Sequence, residues 1–290
     1  YLFLVGYDNN NPYVYQMNAS TGAITNTYNL NSNDFNWLWQ EIGGITTGAE
    51  GEDSLYVFMK YENKALKIEV TATGISSSNE WWPCCPGAWG ATAIAYHEGR
   101  EKFYTTAGWS FVAWDGTFGD YTETFPTLDG AMLSNQEING LTFAGDILFV
   151  GYKEGSDGYV ATGALKPTAT NDVQGLAYSP AGSTLLGSNI GSALWAIVDG
   201  EPYDKIVKLS TTTGSLITNN FPTSQNAVGW FNLPNNAATG VTYMDGHLYV
   251  LASQSTGCCD STAYLYKFKA TNGVQAAVYD LSQGPNGIYD

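Results

Sequence analysis

A six-bladed β-propeller, an all-β ring of repeated four-stranded sheets, is the fold class that this sequence predicts. Three observations predict it. One hairpin pattern recurs along the whole chain, its copies step by about 48 residues, and the two chain ends together make up one missing copy.

The pattern is a small or amide residue, Gly, an aliphatic, Thr or Ala, an aromatic, a tight turn and a β-rich run. It reads "NGLTFAGDILFVGY" from Asn139, "QGLAYSPAGSTLLG" from Gln174 and "TGVTYMDGHLYVL" from Thr239, with looser copies "GGITTGAEGEDSLYVF" from Gly43 and "ATAIAYHEGREKFYT" from Ala91. Alternating runs joined by such turns are hairpins. A third strand follows in "KALKIEVTATG", "DKIVKLSTTTG" and "AYLYKFKATNG", where apolar and polar residues alternate up to a glycine turn.

The N-terminal "YLFLVGYDNNNPYVYQMNASTGAI" matches the later strands of a unit and lacks the first, whereas "NGIYD", Asn286 to Asp290, matches a first strand alone. Anchors fall at 44, 92, 140, 175, 240 and 287, in steps of 48, 48, 35, 65 and 47. The 35-residue unit is expected to lack its outer strand and the 65-residue unit to carry insertions. A single domain, 1–290, follows, closed by strand 286–290 pairing with the N-terminal strands. Closure removes open sheet edges. The alternative is donation of that strand to the next molecule, giving a head-to-tail fibre.

Composition narrows the function classes. A formal charge of −16, with Arg100 the single arginine, excludes nucleic acid as a partner, since phosphate recognition depends on clustered Lys and Arg. No apolar run reaches the length of a membrane span, and the chain opens on "YLFLVG" without a signal-like segment, as a mature or trimmed chain would. Few charges, with abundant Asn, Ser, Thr and Gly, suit an extracellular or cell-surface protein.

In propellers generally, the connections between blades and between second and third strands share one face, where binding sites gather. The longest irregular stretches of this chain fall there, and long loops on a rigid scaffold are where function concentrates. They hold Trp37, Trp39, Trp81, Trp82, Trp89, Trp195 and Trp230. These offer flat platforms for a glycan, framed by Asn36, Asn135, Gln136 and Asn232. The alternative is that the tryptophans are packing wedges. Near the starts of first strands lie Glu41, Glu137, Asn139, Asp172 and Asn286, oxygen donors suited to Ca²⁺ if they converge, or simply a solvated acidic channel.

The "NGLTF", "ILFVGY" and "GLAYSPAGSTLLG" stretches resemble inner hairpins of gluconolactonase-like and NHL-type propellers, and "TGVTYMDGHLYVL" with "YLYKFKATNG" resembles repeats of cell-surface propellers. The gluconolactonase resemblance implies a divalent metal held by a carboxylate and Asn-Gly elements. Asn139 and Asn286 match the latter. The family's Glu-Gly-Pro signature is absent, with Glu41-Ile42 in its place.

Other catalytic sets find little support. His97 and His247 sit in first hairpin turns, read as exposed, without a Ser or Cys to activate. Lys153 and Lys166 are too few for phosphate chemistry, while Asp34 with Glu41, or Asp199 with Glu201, would serve a glycosidase only at about 5–9 Å separation. Asn18 opens the sequon "NAS", a glycosylation acceptor in a hairpin where turn chemistry alone also explains it. The four cysteines form two doublets, Cys84-Cys85 and Cys258-Cys259. Adjacent cysteines lack the gap of a zinc site. Vicinal disulfides, cross-loop bridges and free thiols remain as readings. Two function classes emerge: a non-catalytic extracellular propeller for adhesion, glycan binding or building a surface layer or fibre, and a Ca²⁺-dependent hydrolase of lactonase type.

Overall fold

A computed structural model describes residues 1–8, 11–30, 42–48, 53–59, 65–71, 74–81, 93–107, 110–115, 121–125, 136–154, 157–162, 173–198, 204–212, 217, 230–232, 238–255 and 261–281. Among these residues every extended element is a β-strand in an antiparallel sheet, and no helix is long and apolar enough to cross a membrane. The chain divides into two compact units, Tyr1–Met132 with Ser282–Asp290, and Leu133–Leu281.

The first unit contains three sheets. Strands β1 (Leu2–Asp8), β2 (Asn11–Met17) and β3 (Ile24–Asn29) form a three-stranded meander. Strands β4 (Ile42–Thr47), β5 (Ser54–Met59), β6 (Ala65–Thr71) and β7 (Gly74–Trp81) form a four-stranded one, as do β8 (Ile94–His97), β9 (Lys102–Ala107), β10 (Ser110–Asp115) and β11 (Tyr121–Phe125). The middle sheet is buried on both faces. From β5, Leu55 and Val57 pack with Val14 and Leu30 of the first sheet, while Tyr56 points the other way and meets Phe103 with ring centroids 4.2 Å apart. The period-two alternation of a strand produces this division.

The second unit repeats the arrangement. It contains β12 (Gln136–Ala144), β13 (Ile147–Glu154) and β14 (Asp157–Thr162), then β15 (Val173–Ser179), β18 (Ala193–Val198), β19 (Lys205–Leu209) and β20 (Trp230–Asn232), and finally β21 (Ala238–Met244), β22 (His247–Ser255), β23 (Ser261–Lys269) and β24 (Gln275–Asp280). The 35-residue unit has three strands among the described residues. The 65-residue unit carries an extra hairpin, β16 (Thr184–Leu185) with β17 (Ser188–Asn189), between its first and second strands. From β18, Leu194, Ala196 and Val198 face Phe149 and Val173, whereas Ala193, Trp195 and Ile197 face Leu248 and Val250. Both faces are covered, so "ALWAIV" is apolar without alternation.

The recurrent glycine has a structural cause. First strands of successive sheets lie side by side within each unit: β4 beside β8 in one, and β12, β15 and β21 in the other. A Cβ on Gly140 would stand 3.0 Å from the Leu176 backbone nitrogen, and one on Gly175 would stand 3.4 Å from that of Val241. Each glycine follows a register shift, between Ile42 and Gly44, Ile138 and Gly140, Val173 and Gly175, or Ala238 and Gly240. Such bulges bend and re-aim a strand. A Cβ on Gly44 would meet the Ile94 nitrogen at 3.2 Å and the Ala93 Cα at 3.5 Å, so Ala93, not Thr92, occupies the equivalent position. The closing strand 286–290 lies outside the described residues.

Candidate functional site

Second and third strands carry a pair that the sequence reading passed over. Tyr56 stands opposite Lys67, Trp195 opposite Lys208, and Tyr249 opposite Lys267. In each pair the ammonium lies over the ring, at 5.5, 5.3 and 5.2 Å from its centroid. This is cation–π geometry on directly opposed residues. The signal was present as an apolar-Lys-apolar triplet, "LKI", "VKL" and "YKF", in the third strand of three units.

Around Lys208 the inserted hairpin changes the setting. Lys67 and Lys267 are half-buried, but Lys208 is only 6% exposed. Its Nζ donates to the Ile190 carbonyl at 2.8 Å. Burial lowers its pKa below the ordinary lysine value, because the charged form loses hydration. Beneath it the Trp195 Nε1 donates to Ser179 Oγ at 3.0 Å, and that hydroxyl reaches the Gly191 carbonyl at 3.1 Å. The chain following β17 is thereby tied to the buried indole. On the other side of the hairpin, Gly246 has φ +75°, and a Cβ there would stand 2.8 Å from Leu185 Cβ. With Asp245 at φ 48°, it makes the left-handed two-residue turn joining β21 to β22, and the hairpin seats against it.

A recess of about 420 Å³ opens here, lined by residues 189–192, Lys208, Ile217 and Thr271. Ser192 Oγ and Thr211 Oγ1 share a hydrogen bond of 3.0 Å at its margin. An ammonium, hydroxyls, an amide and the Ile217 side chain make a surface suited to holding a polar ligand. The recess belongs to turns joining first to second and third to fourth strands, whereas the sequence nominated loops at the opposite ends of the strands.

Trp195 is therefore a correction. It was expected in a loop as a ligand platform, but it lies in β18 and is fully buried, because the inserted hairpin displaces the second strand to 193–198. Trp81 ends β7 opposite Ala65, and Trp230 begins β20 opposite Val207. Trp37, Trp39, Trp82 and Trp89 lie outside the described residues, as do Asn36 and Asn135. Gln136 opens β12 and Asn232 ends β20.

Of the proposed oxygen donors, Glu137 stands opposite Lys153, and Asn139 occupies the bulge of β12. Glu41, Asp172 and Asn286 lie outside the described residues, with Cys84, Cys85, Cys258 and Cys259. Bulge positions equivalent to Asn139 carry Gln174 and Thr239, neutral amide and hydroxyl groups. His97, read as exposed, is buried at 4% exposure, and its Nδ1 accepts from the Arg100 backbone N–H at 3.1 Å, capping the turn over Glu98–Arg100. His247 is half-buried, with Nδ1 2.8 Å from the Asp245 carbonyl. At Asn18, Oδ1 accepts from the backbone N–H groups of Ser20 and Thr21 at 2.9 and 3.2 Å, an Asx turn.

No protein-family model matches the chain, and no curated protein is significantly similar to it. Solved structures are similar in fold. A chain in the crystal structure of a Nidogen/Laminin complex superposes with a TM-score of 0.64 at 9% identity, over 96% of this chain and 92% of that one. A chain in the crystal structure of the Mitotic Checkpoint Complex gives 0.55 at 10% identity, over 97% and 77%. These likenesses support a propeller-like all-β fold.

Proposed function

We propose that the chain is a non-catalytic extracellular or cell-surface binding propeller. In this reading residues 1–290 form one six-bladed ring, closed by strand 286–290 beside β1, β2 and β3, and the ring serves adhesion, glycan binding or the building of a surface layer or fibre. Three face-packed sheets in each unit, neighbouring first strands and a β1–β3 sheet with three strands support the ring. The observation that carries the binding function is the polar recess over Lys208, a built cavity with hydrogen-bonding groups at its rim. One solved structure of similar fold is of a complex between two proteins, Nidogen and Laminin, which suits a binding use.

A glycan array tests the reading. The intact chain is expected to retain a defined set of glycans, and Trp81→Ala with Trp230→Ala to lose those held by the loops. An array that captures nothing overturns glycan binding. Light scattering is expected to return a monomer; concentration-dependent polymers would instead favour donation of strand 286–290 to the next molecule. The alternative, a Ca²⁺-dependent hydrolase of lactonase type, draws on Asn139 at the bulge of β12 and on Glu41 and Asn286, which lie outside the described residues.

A further inference from the structure

We propose that the recess over Lys208 binds the carboxylate of a small hydroxylated ligand, an acidic sugar residue, whose hydroxyls meet Asn189, Ser192 and Thr271. The proposal deepens the glycan-binding reading and rests on it.

A buried ammonium is costly unless an anion and further acceptors replace its hydration. Lys208 is 6% exposed and donates to one carbonyl, that of Ile190, while its cation rests over the Trp195 ring. An ammonium has three donors, so two N–H groups remain beyond the one hydrogen bond it makes among the described residues. Burial is the cause of its lowered pKa, with no carboxylate among the described residues offsetting it. An incoming carboxylate supplies a counter-charge at the ammonium, on the side away from the ring.

The remaining features select the ligand class. A single ammonium is a point charge that matches one negative charge and lacks the guanidinium's fork. The chain's formal charge of −16 repels polyanions, so a ligand with one carboxylate is favoured. A recess of about 420 Å³ accommodates one or two sugar rings. Asn189 is exposed, Ser192 and Thr271 are half-buried, and all three line the recess with groups that hydrogen-bond sugar hydroxyls. Ile217 supplies apolar wall for a sugar's C–H face, while Ile190 turns its side chain into the core and its carbonyl to Lys208.

Calorimetric titration of the whole chain with D-glucuronate, D-glucose and an oligosaccharide ending in glucuronate tests this. Glucuronate is expected to bind at least tenfold more tightly than glucose. Lys208→Met removes that preference, and Asn189→Ala weakens both sugars while keeping it. Tighter binding of the oligosaccharide than of free glucuronate assigns the site to a glycan chain end, and equal binding assigns it to the free acid. Equal affinity for glucuronate and glucose, a preference that survives Lys208→Met in a folded variant, or no heat with any sugar overturns the proposal. Capture on an array that depends on Trp81 and Trp230 but ignores Lys208 would defeat this inference and leave the binding propeller standing. Glucuronate bound in the recess by a chain that captures nothing on the array would do the reverse.

Discussion

Lys208 and Lys267 occupy the same place in neighbouring sheets of the second unit, each over a buried aromatic on the opposing strand, yet their surroundings differ. Lys267 holds its ammonium over the Tyr249 ring while remaining only partly buried, the usual compromise of a long cationic side chain. Lys208 is roofed by the β16–β17 hairpin and the chain leading from it, and its ammonium is handed to a backbone carbonyl. The recess is built on top of a pair that recurs in three units. A surface ornament became a buried group when one turn grew longer.

Trp195→Ala should break the comparison most severely. It empties a fully buried indole site and removes the donor to Ser179, so a loss of about 3–5 kcal/mol is expected in denaturant unfolding. That loss should exceed the loss for Tyr249→Ala; equal losses would mean that the hairpin network adds nothing. Gly246→Val comes next, at about 1–3 kcal/mol, because a β-branched residue at φ +75° is strained and its Cβ collides with Leu185. The same change should lift the hairpin and speed acylation of Lys208, read by peptide mass mapping, without altering Lys267.

The smallest effects separate the two lysines themselves. Lys267→Met should cost about 0.5–1 kcal/mol, the worth of an exposed cation–π pair. Lys208→Met should be neutral or stabilising at pH 7, since an apolar isostere of a buried ion removes its desolvation cost. The pH dependence has a definite sign. With the folded-state pKa of Lys208 lowered, the unfolded chain binds a proton that the folded one does not between that value and the unfolded value of about 10.4. Stability of the unsubstituted chain therefore rises through that window relative to the Met variant. The advantage of Lys208→Met shrinks as pH increases, and an advantage that grew would refute the burial account.

Much of the scaffold was legible because hairpin turns and alternation are local. The glycine line and the insertion-bearing unit could both be read from spacing. Two slips have physical causes. Ala93 does the work of the glycine in its repeat, so an alignment on Gly and small polar residues settled on Thr92. "ALWAIV" has no alternation, because neighbouring sheets cover both its faces, and it follows a hairpin that imitates a second strand. Trp195 was thereby placed in a loop. The Lys208 site was harder still, since it depends on cross-strand register and on what lies above the pair. A third-strand lysine in three units was visible; the roof over one of them was not.

The backbone contacts at Gly140 and Gly175 separate two properties of the repeat that need not vary together. Successive first strands touch main chain to main chain, so their spacing is indifferent to the cargo each sheet carries further out. A 35-residue repeat and a 65-residue one end in the same kind of contact. The chain can therefore acquire new chemistry by lengthening a peripheral turn, with no correction demanded of its neighbours at that seam.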